Sequence, residues 1–251
     1  MRGEHALLEI SVLGQVDVSL DGRPVAVGTP KQQAVLALLA LRNGQPVAVD
    51  SLVDDLWPLR PPASALANIQ SYASHVRRIA GAARLVRRGT TYTLTLAEHE
   101  LDLARFNRAR RAAEVARAAD DVAAELRHLD TAAGLWRGSV ADGFRHGPVT
   151  AALCQIISDD YQAVVERMAE LHLRAGAAPA AARLLRTHVR LHPLRESAYV
   201  LLMRALRASG DNAEALAMHD LASSNLAAQL GIRPGPQLQG LRALILNESR
   251  A

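Results

Sequence analysis

Gln70, Ser71, Ser74, His75, Arg77 and Arg78 lie within the stretch NIQSYASHVRRIAG, residues 68–81. Wound as a helix at about 100° per residue, the segment from Leu66 to Gly81 separates into two arcs. Those six side chains share one arc, with Asn68 at its edge. Leu66, Ile69, Tyr72, Ala73, Val76, Ile79 and Ala80 share the other, which reads as a core face. No acid stands among the polar residues. A helix face that merely meets solvent usually mixes Glu with Lys or Arg, because opposite charges one turn apart support each other. This face offers guanidinium, amide, hydroxyl and imidazole groups, the side chains that bond phosphates and base edges. For any single amphipathic helix a solvated face is the commoner explanation, so the surrounding sequence has to decide.

Other chemistries find no comparable grouping. The single cysteine, Cys154, excludes an internal disulfide and reads as a small buried hydrophobe. No Cys/His set has metal-ligand spacing, and no GxxxxGK[ST] loop is present. His172, His188 and His192 fall at scattered helical positions and read as surface or packed histidines. No catalytic constellation can be nominated, so neither an enzyme, a metal nor a cofactor is expected.

Charge is more informative. Of 29 basic residues only Lys31 is a lysine. An arginine bias is also what GC-rich coding produces, so abundance decides nothing and distribution decides more. Between Asp55 and Glu98 there is no acid, yet Arg60, Arg77, Arg78, Arg84, Arg87 and Arg88 are there. Within a chain of net charge +4 this is the electrostatic footprint of a polyanionic partner. Lys31 opens the first helix, where a phosphate contact and a solvated lysine are both open readings. Arg108, Arg110 and Arg111 read as a solvated helix face, and Trp57 as core.

The apolar fraction is 49%, but with only two Phe, two Trp and four Tyr the packing falls to Ala and Leu, which favours close-packed helices. A length of 251 residues allows one large or two ordinary domains. No apolar run approaches the roughly 18 residues of a membrane span. Glu4, Glu9 and Asp17 interrupt the region a signal peptide keeps apolar, so a cytoplasmic protein without a membrane partner is expected.

Residues 7–27 alternate as short strands around the Asp21-Gly22 hairpin signal. Thr29-Pro30 then predicts an N-cap and first helical position, and KQQAVLALLALR a helix that stops at Asn43-Gly44. Asp50 is expected to cap a second helix, SLVDDLW, closed by Pro58; LRPPA cannot be helical; Ser64 opens the third helix. RLVRR and YTLTL flank Gly89-Thr90 as a hairpin with a basic arm and tip, Tyr92, Leu94 and Leu96 sharing one side. Three helices and a hairpin, the third helix basic on its free face, is the winged helix-turn-helix plan, in which that helix enters the major groove and the hairpin follows the backbone. Two independent elements thus place their arginines compatibly, and the solvated-face reading loses most of its weight.

From about residue 101 every pattern is helical. Gly176 and Gly210 stand 34 residues apart, each followed five residues later by Ala181 or Ala215, and Pro193 closes the first unit. That period and those offsets are a tetratricopeptide signature. The expected fold is therefore mainly α with a small β component. Residues 1–98 would form the winged-helix domain, a closed unit able to fold alone, and residues 101–251 an all-α tetratricopeptide-like domain.

These segments together resemble the Streptomyces antibiotic regulatory protein (SARP) family, nearly end to end: VLGQVDV, TPKQQAVLALLAL, VDSLVDDLWP, SYASHVRRI, ELDLARF, GLWRGSVADGF, HPLRESAYVLLMRALRASGDNAEAL and LGIRPGPQL. The resemblance implies an OmpR-type winged helix followed by a bacterial transcriptional activation domain. It implies a pathway-specific activator of antibiotic biosynthesis that binds promoter direct repeats overlapping the −35 element, copies side by side, and recruits RNA polymerase holoenzyme. Ser71, Ser74, His75 and Arg78 would sit in the major groove, with Arg87 and Arg88 on the wing near phosphates; Lys31, Gln70, Arg77 and Thr90 complete the expected DNA-binding set from their places on the same elements. Leu59 and Arg60, in the loop that faces the sigma factor in OmpR-type activators, would touch polymerase. The family commonly has Arg where His75 stands and a Gly-Gly-Tyr type wing tip where this chain reads RRGTTY. Ser223, Ser224 and Asn225 occupy a stretch often basic in relatives. Larger members carry an ATPase module, which this chain is expected to lack. A tetratricopeptide-type adaptor and a repressor of the same fold are the alternatives.

Overall fold

A computed structural model describes residues 7–248; Glu4 and the outermost residues of both expected domains, 1–6 and 249–251, lie outside the described residues. The chain divides into two compact units. One comprises Met1–Glu114 with Thr131–Tyr161, the other Val115–Asp130 with Gln162–Ala251.

The first unit opens with an antiparallel sheet of β1 (Leu8–Ser11), β2 (Asp17–Leu20) and β3 (Arg23–Val25). Its register pairs Leu8 with Leu20, and Ile10 with Val18, so alternate side chains reach one buried face. Asp21 and Gly22 both have positive φ, 51° and 74°, as a two-residue hairpin turn of the primed type demands. Helix α1 (Pro30–Leu41) starts after Thr29, whose N–H donates to Gln32 Oε1 at 2.8 Å. Its buried run from Ala34 to Ala40 has no polar residue, so α1 is the central rod of this unit.

β4 (Val47–Ala48) leads directly into α2 (Val49–Leu56). The N-cap is Ala48, not the expected Asp50; Asp50 lies inside the first turn, where its charge still favours the helix N-terminus. Helix α3 (Ala65–Ala80) follows N-cap Ser64 and packs on α1 and α2. Ala65, Ile69, Ala73, Val76, Ile79 and Ala80 form its buried face. Leu66 departs from the expected core arc: it is 57% exposed, because Ala65 takes the inward place in the first turn.

β5 (Leu85–Arg88) and β6 (Thr91–Leu94) form the hairpin, and β6 also pairs with β4 through Val47 and Tyr92. Asn43, just beyond α1, grips the strand past β6: its Oδ1 accepts from Leu96 N at 2.8 Å and its Nδ2 donates to Leu96 O at 3.1 Å. Tyr92, Leu94 and Leu96 are buried.

Helices α4 (Asp102–Ala118), α5 (Val122–Gly134) and α6 (Pro148–Arg174) follow, and the division between units falls within each of them. In the first unit Asp102 is a buried clamp, its carboxylate accepting from Val12 N and Leu13 N at 2.9 Å and from Leu103 N at 2.8 Å. Burial pushes its pKa up against these bonds and the Arg137 charge. Asp55 of α2 accepts from Val149 N and Thr150 N, both at 2.9 Å, and so caps α6. A Cβ on Gly147 would run into the Asp55 carbonyl, which explains the glycine. Cys154 is buried, its thiol pushed up to about 11 by desolvation and the nearby Asp55 charge.

The second unit stacks α7 (Ala178–Leu191) on α8 (Glu196–Ala208) and α8 on α9 (Asn212–Leu230), with α10 (Pro236–Glu248) closing over α8 and α9. Ala181 and Ala215, the repeat positions, are fully buried, so a larger side chain would force the paired helices apart. Gly176 and Gly210 carry φ of 73° and 80° at the turns before α7 and α9. Ion pairs join Arg167 to Glu125 at 2.6 Å, Arg195 to Glu166 at 2.8 Å, Arg186 to Glu214 and Arg207 to Glu248 at 2.6 Å each. Among the described residues no helix is long and apolar enough to cross a membrane, and no His, Cys, Asp or Glu group could hold a metal ion.

Candidate nucleic-acid interface

The polar arc of α3 is largely free of the core. Gln70, Ser71, Ser74 and Arg78 are exposed, and His75, Arg77 and Asn68 are half-buried. Ser74 Oγ donates to Gln70 O at 2.9 Å, one turn back, and Asn68 Nδ2 donates to Ser64 Oγ at 3.2 Å. Arg77 turns the other way: its Nε donates to Leu85 O at 3.3 Å, tying α3 to the first strand of the hairpin. It is thereby a brace between α3 and the hairpin.

His75 is the most constrained member. Its Nε2 lies 2.9 Å from Val27 O, and its Nδ1 lies 2.6 Å from Arg78 Nη2. Helical period alone places His75 with the groove-facing residues and carries no trace of this anchor, which holds both ring nitrogens within the protein. The glycine at position 28, just before Thr29-Pro30, is the one mark the sequence carries here; its φ of 95° and the lack of room for a Cβ beside His75 Nε2 are what it supplies.

The hairpin presents Arg87, Arg88, Gly89 and Thr90, all exposed. The Arg87 guanidinium lies 5.7 Å from the centroid of its cross-strand partner Tyr92, and Arg87 Nε donates to Gly89 O at 3.1 Å. Thr90 O accepts from Val49 N at 2.8 Å, which fastens the turn to the start of α2. Arg84, at the hairpin base, is neutralised by Glu100, with which it makes a direct ion pair. Its cation is structural, unlike those of Arg87 and Arg88.

Lys31 is drawn inward. Its ammonium donates to Leu56 O at 3.1 Å and stands 4.0 Å from the centroid of half-buried Trp57, and desolvation lowers its pKa. The loop after Trp57 holds Leu59, 92% exposed, and exposed Arg60, next to Pro61 and Pro62. In the unit as a whole, then, two exposed cationic elements are fastened to one α1-centred core.

The family model for the bacterial transcriptional activator domain matches residues 101–246. Regulatory protein DnrI of Streptomyces peucetius is 30% identical over 254 residues, covering 95% of this chain and 92% of DnrI. The chain belongs to the Streptomyces antibiotic regulatory protein family. Regulatory protein AfsR of Streptomyces coelicolor is 37% identical over 249 residues, 99% of this chain and 25% of AfsR. Transcriptional regulatory protein EmbR of Mycobacterium tuberculosis is 34% identical over 247 residues, and the chain spans 64% of its length. The solved structure of that EmbR in complex with a low affinity phosphopeptide superimposes with a TM-score of 0.85 at 33% identity, over 97% of this chain and 66% of that one. The mainly helical SARP architecture, small sheets first and a helical domain after, is thus shared with a solved relative.

Proposed function

We propose that this SARP-family chain is a DNA-binding transcriptional activator, a regulator and not an enzyme, acting on nucleoid DNA in the cytoplasm. Residues 1–98 read the DNA. Gln70, Ser71, Ser74 and Arg78 of α3 enter the major groove, Arg77 holds α3 in place, and Arg87, Arg88 and Thr90 of the hairpin follow the backbone. Residues 101–251 act as the activation domain, copies settle side by side on promoter direct repeats near the −35 element, and Leu59 with Arg60 meets the sigma factor of RNA polymerase. The genes served would be those of a secondary-metabolite pathway.

The observation that carries this reading is the polar, acid-free face of α3, exposed in the same unit as an exposed Arg87-Arg88 hairpin. A protein-interaction adaptor would have no physical need to clear acids from the whole stretch between Asp55 and Glu98. The test is selection of duplexes from a random pool by the full chain, followed by footprinting on promoter DNA that contains the selected sequence. Two protected copies of one motif in direct repeat are expected. Failure to enrich any sequence over the pool at moderate salt would refute DNA reading, and transcription lowered by the bound chain would make it a repressor.

A further inference from the structure

We propose that His75 is a positioning residue that fixes the Arg78 guanidinium for base contact and does not itself read DNA. This rests on the reading of α3 as the groove-bound helix. A carbonyl oxygen only accepts, so with Val27 O at 2.9 Å the Nε2 of His75 must carry the proton. A guanidinium only donates, so with Arg78 Nη2 at 2.6 Å the Nδ1 must be bare. The two contacts agree on one tautomer, neutral and protonated at Nε2. Both ring nitrogens are then used, and no polar atom of His75 remains for a base or a phosphate.

The anchor beneath is itself fixed. Val27 is buried. The backbone that follows is tied to α1 by Thr29 N donating to Gln32 Oε1 at 2.8 Å and Gln33 Nε2 donating to Gly28 O at 3.2 Å. Any side chain at Gly28 would overlap the Gln32 amide and bring a Cβ to 2.8 Å from His75 Nε2. Core backbone, imidazole and guanidinium therefore form a chain running from Val27 out to the exposed end of Arg78. The imidazole takes one N–H of Nη2 and leaves the other guanidinium donors for a partner. A long, otherwise free side chain held this way loses less freedom when it meets a guanine edge.

A double-mutant cycle with the full chain on its selected duplex, each base pair substituted in turn, tests the proposal. Arg78→Ala is expected to lose about tenfold in affinity and to relax preference at one base pair, as for a guanine contact. His75→Leu should lose selectivity at that same base pair, and the double variant should be no worse than Arg78→Ala alone. His75→Gln, whose amide can donate to Val27 O and accept from Arg78, should restore wild-type selectivity. Independent losses that multiply in the double variant would overturn the proposal, as would a base-pair preference altered by His75→Leu but not by Arg78→Ala. If Arg78→Ala changes nothing on any duplex, the reading of α3 as the DNA-reading helix falls with it. Nitrogen-15 NMR of the unmodified chain supplies a test free of folding effects: the Nε2–H tautomer is expected at His75, and the Nδ1–H tautomer would refute the arrangement.

Discussion

Arg88 carries an exposed guanidinium that makes no ion pair among the described residues, whereas Arg84 at the base of the same hairpin is spent on Glu100. Contact with phosphate is charge exchange with condensed counterions and is blind to sequence. Arg88→Ala is therefore expected to weaken selected and scrambled duplexes alike and to reduce the salt slope of binding by about one. Arg127→Ala, in the other unit, serves as the control and should leave the slope unchanged. A different residue governs acid stability. His188 is buried with no hydrogen-bond partner for Nε2 among the described residues, and burial above all, helped by His192, lowers its pKa to about 4. The unfolded chain takes up that proton near 6.5 and the folded chain only near 4, so stability is full above the first value and falls as pH drops towards the second. Urea unfolding should show a loss of about 2 kcal/mol between about pH 7 and pH 5. His188→Leu should flatten that slope; an unchanged slope would place the titrating group elsewhere.

At the scale of elements, the sequence period is what made the helices readable. The apolar repeat, Thr29-Pro30, Ser64 and the glycines at 176 and 210 are local signals, and all of them sit at element boundaries in the structure. What local signals cannot carry is pairing across long separations. Asp55 looked like one more acid on α2, yet it caps α6 from 94 residues away at Val149. The two-residue strand β4 exists only because Val47 meets Tyr92, and Leu66 lost the core to Ala65 through a small turn of α3 that no period resolves. The candidate site divides the same way: the exposed arc was legible, but the anchoring of His75 on Val27 and of Lys31 on Leu56 was not. Asp55→Ala leaves two buried or half-buried N–H groups uncapped and should cost about 1–3 kcal/mol in unfolding experiments. The loop after α2 should act differently. Leu59→Ala with Arg60→Ala removes no intramolecular contact of a buried group, because both side chains are exposed. Selected-duplex binding should stay within about twofold, well under a lost base contact, while transcription in vitro falls. Matched losses of binding and transcription would mean that the loop works through DNA.

For the whole molecule, the proposed DNA-reading part and the helical part both fall within the span shared with solved EmbR. If adjacent copies assist one another, the full chain should occupy a pair of direct repeats cooperatively, at effective concentrations that a single site cannot exploit. Equal affinity per site on single and paired repeats would remove that assistance. The central claim, that α3 reads bases while the hairpin supplies charge, is tested most directly by one comparison. Binding of the full chain and of Arg78→Ala is measured on selected and scrambled duplexes across a salt series, with folding checked by circular dichroism. A loss of about 1–3 kcal/mol is expected on the selected duplex, little on the scrambled one, and a preserved difference at every salt concentration. Equal losses on both duplexes, or none on either, would contradict that claim.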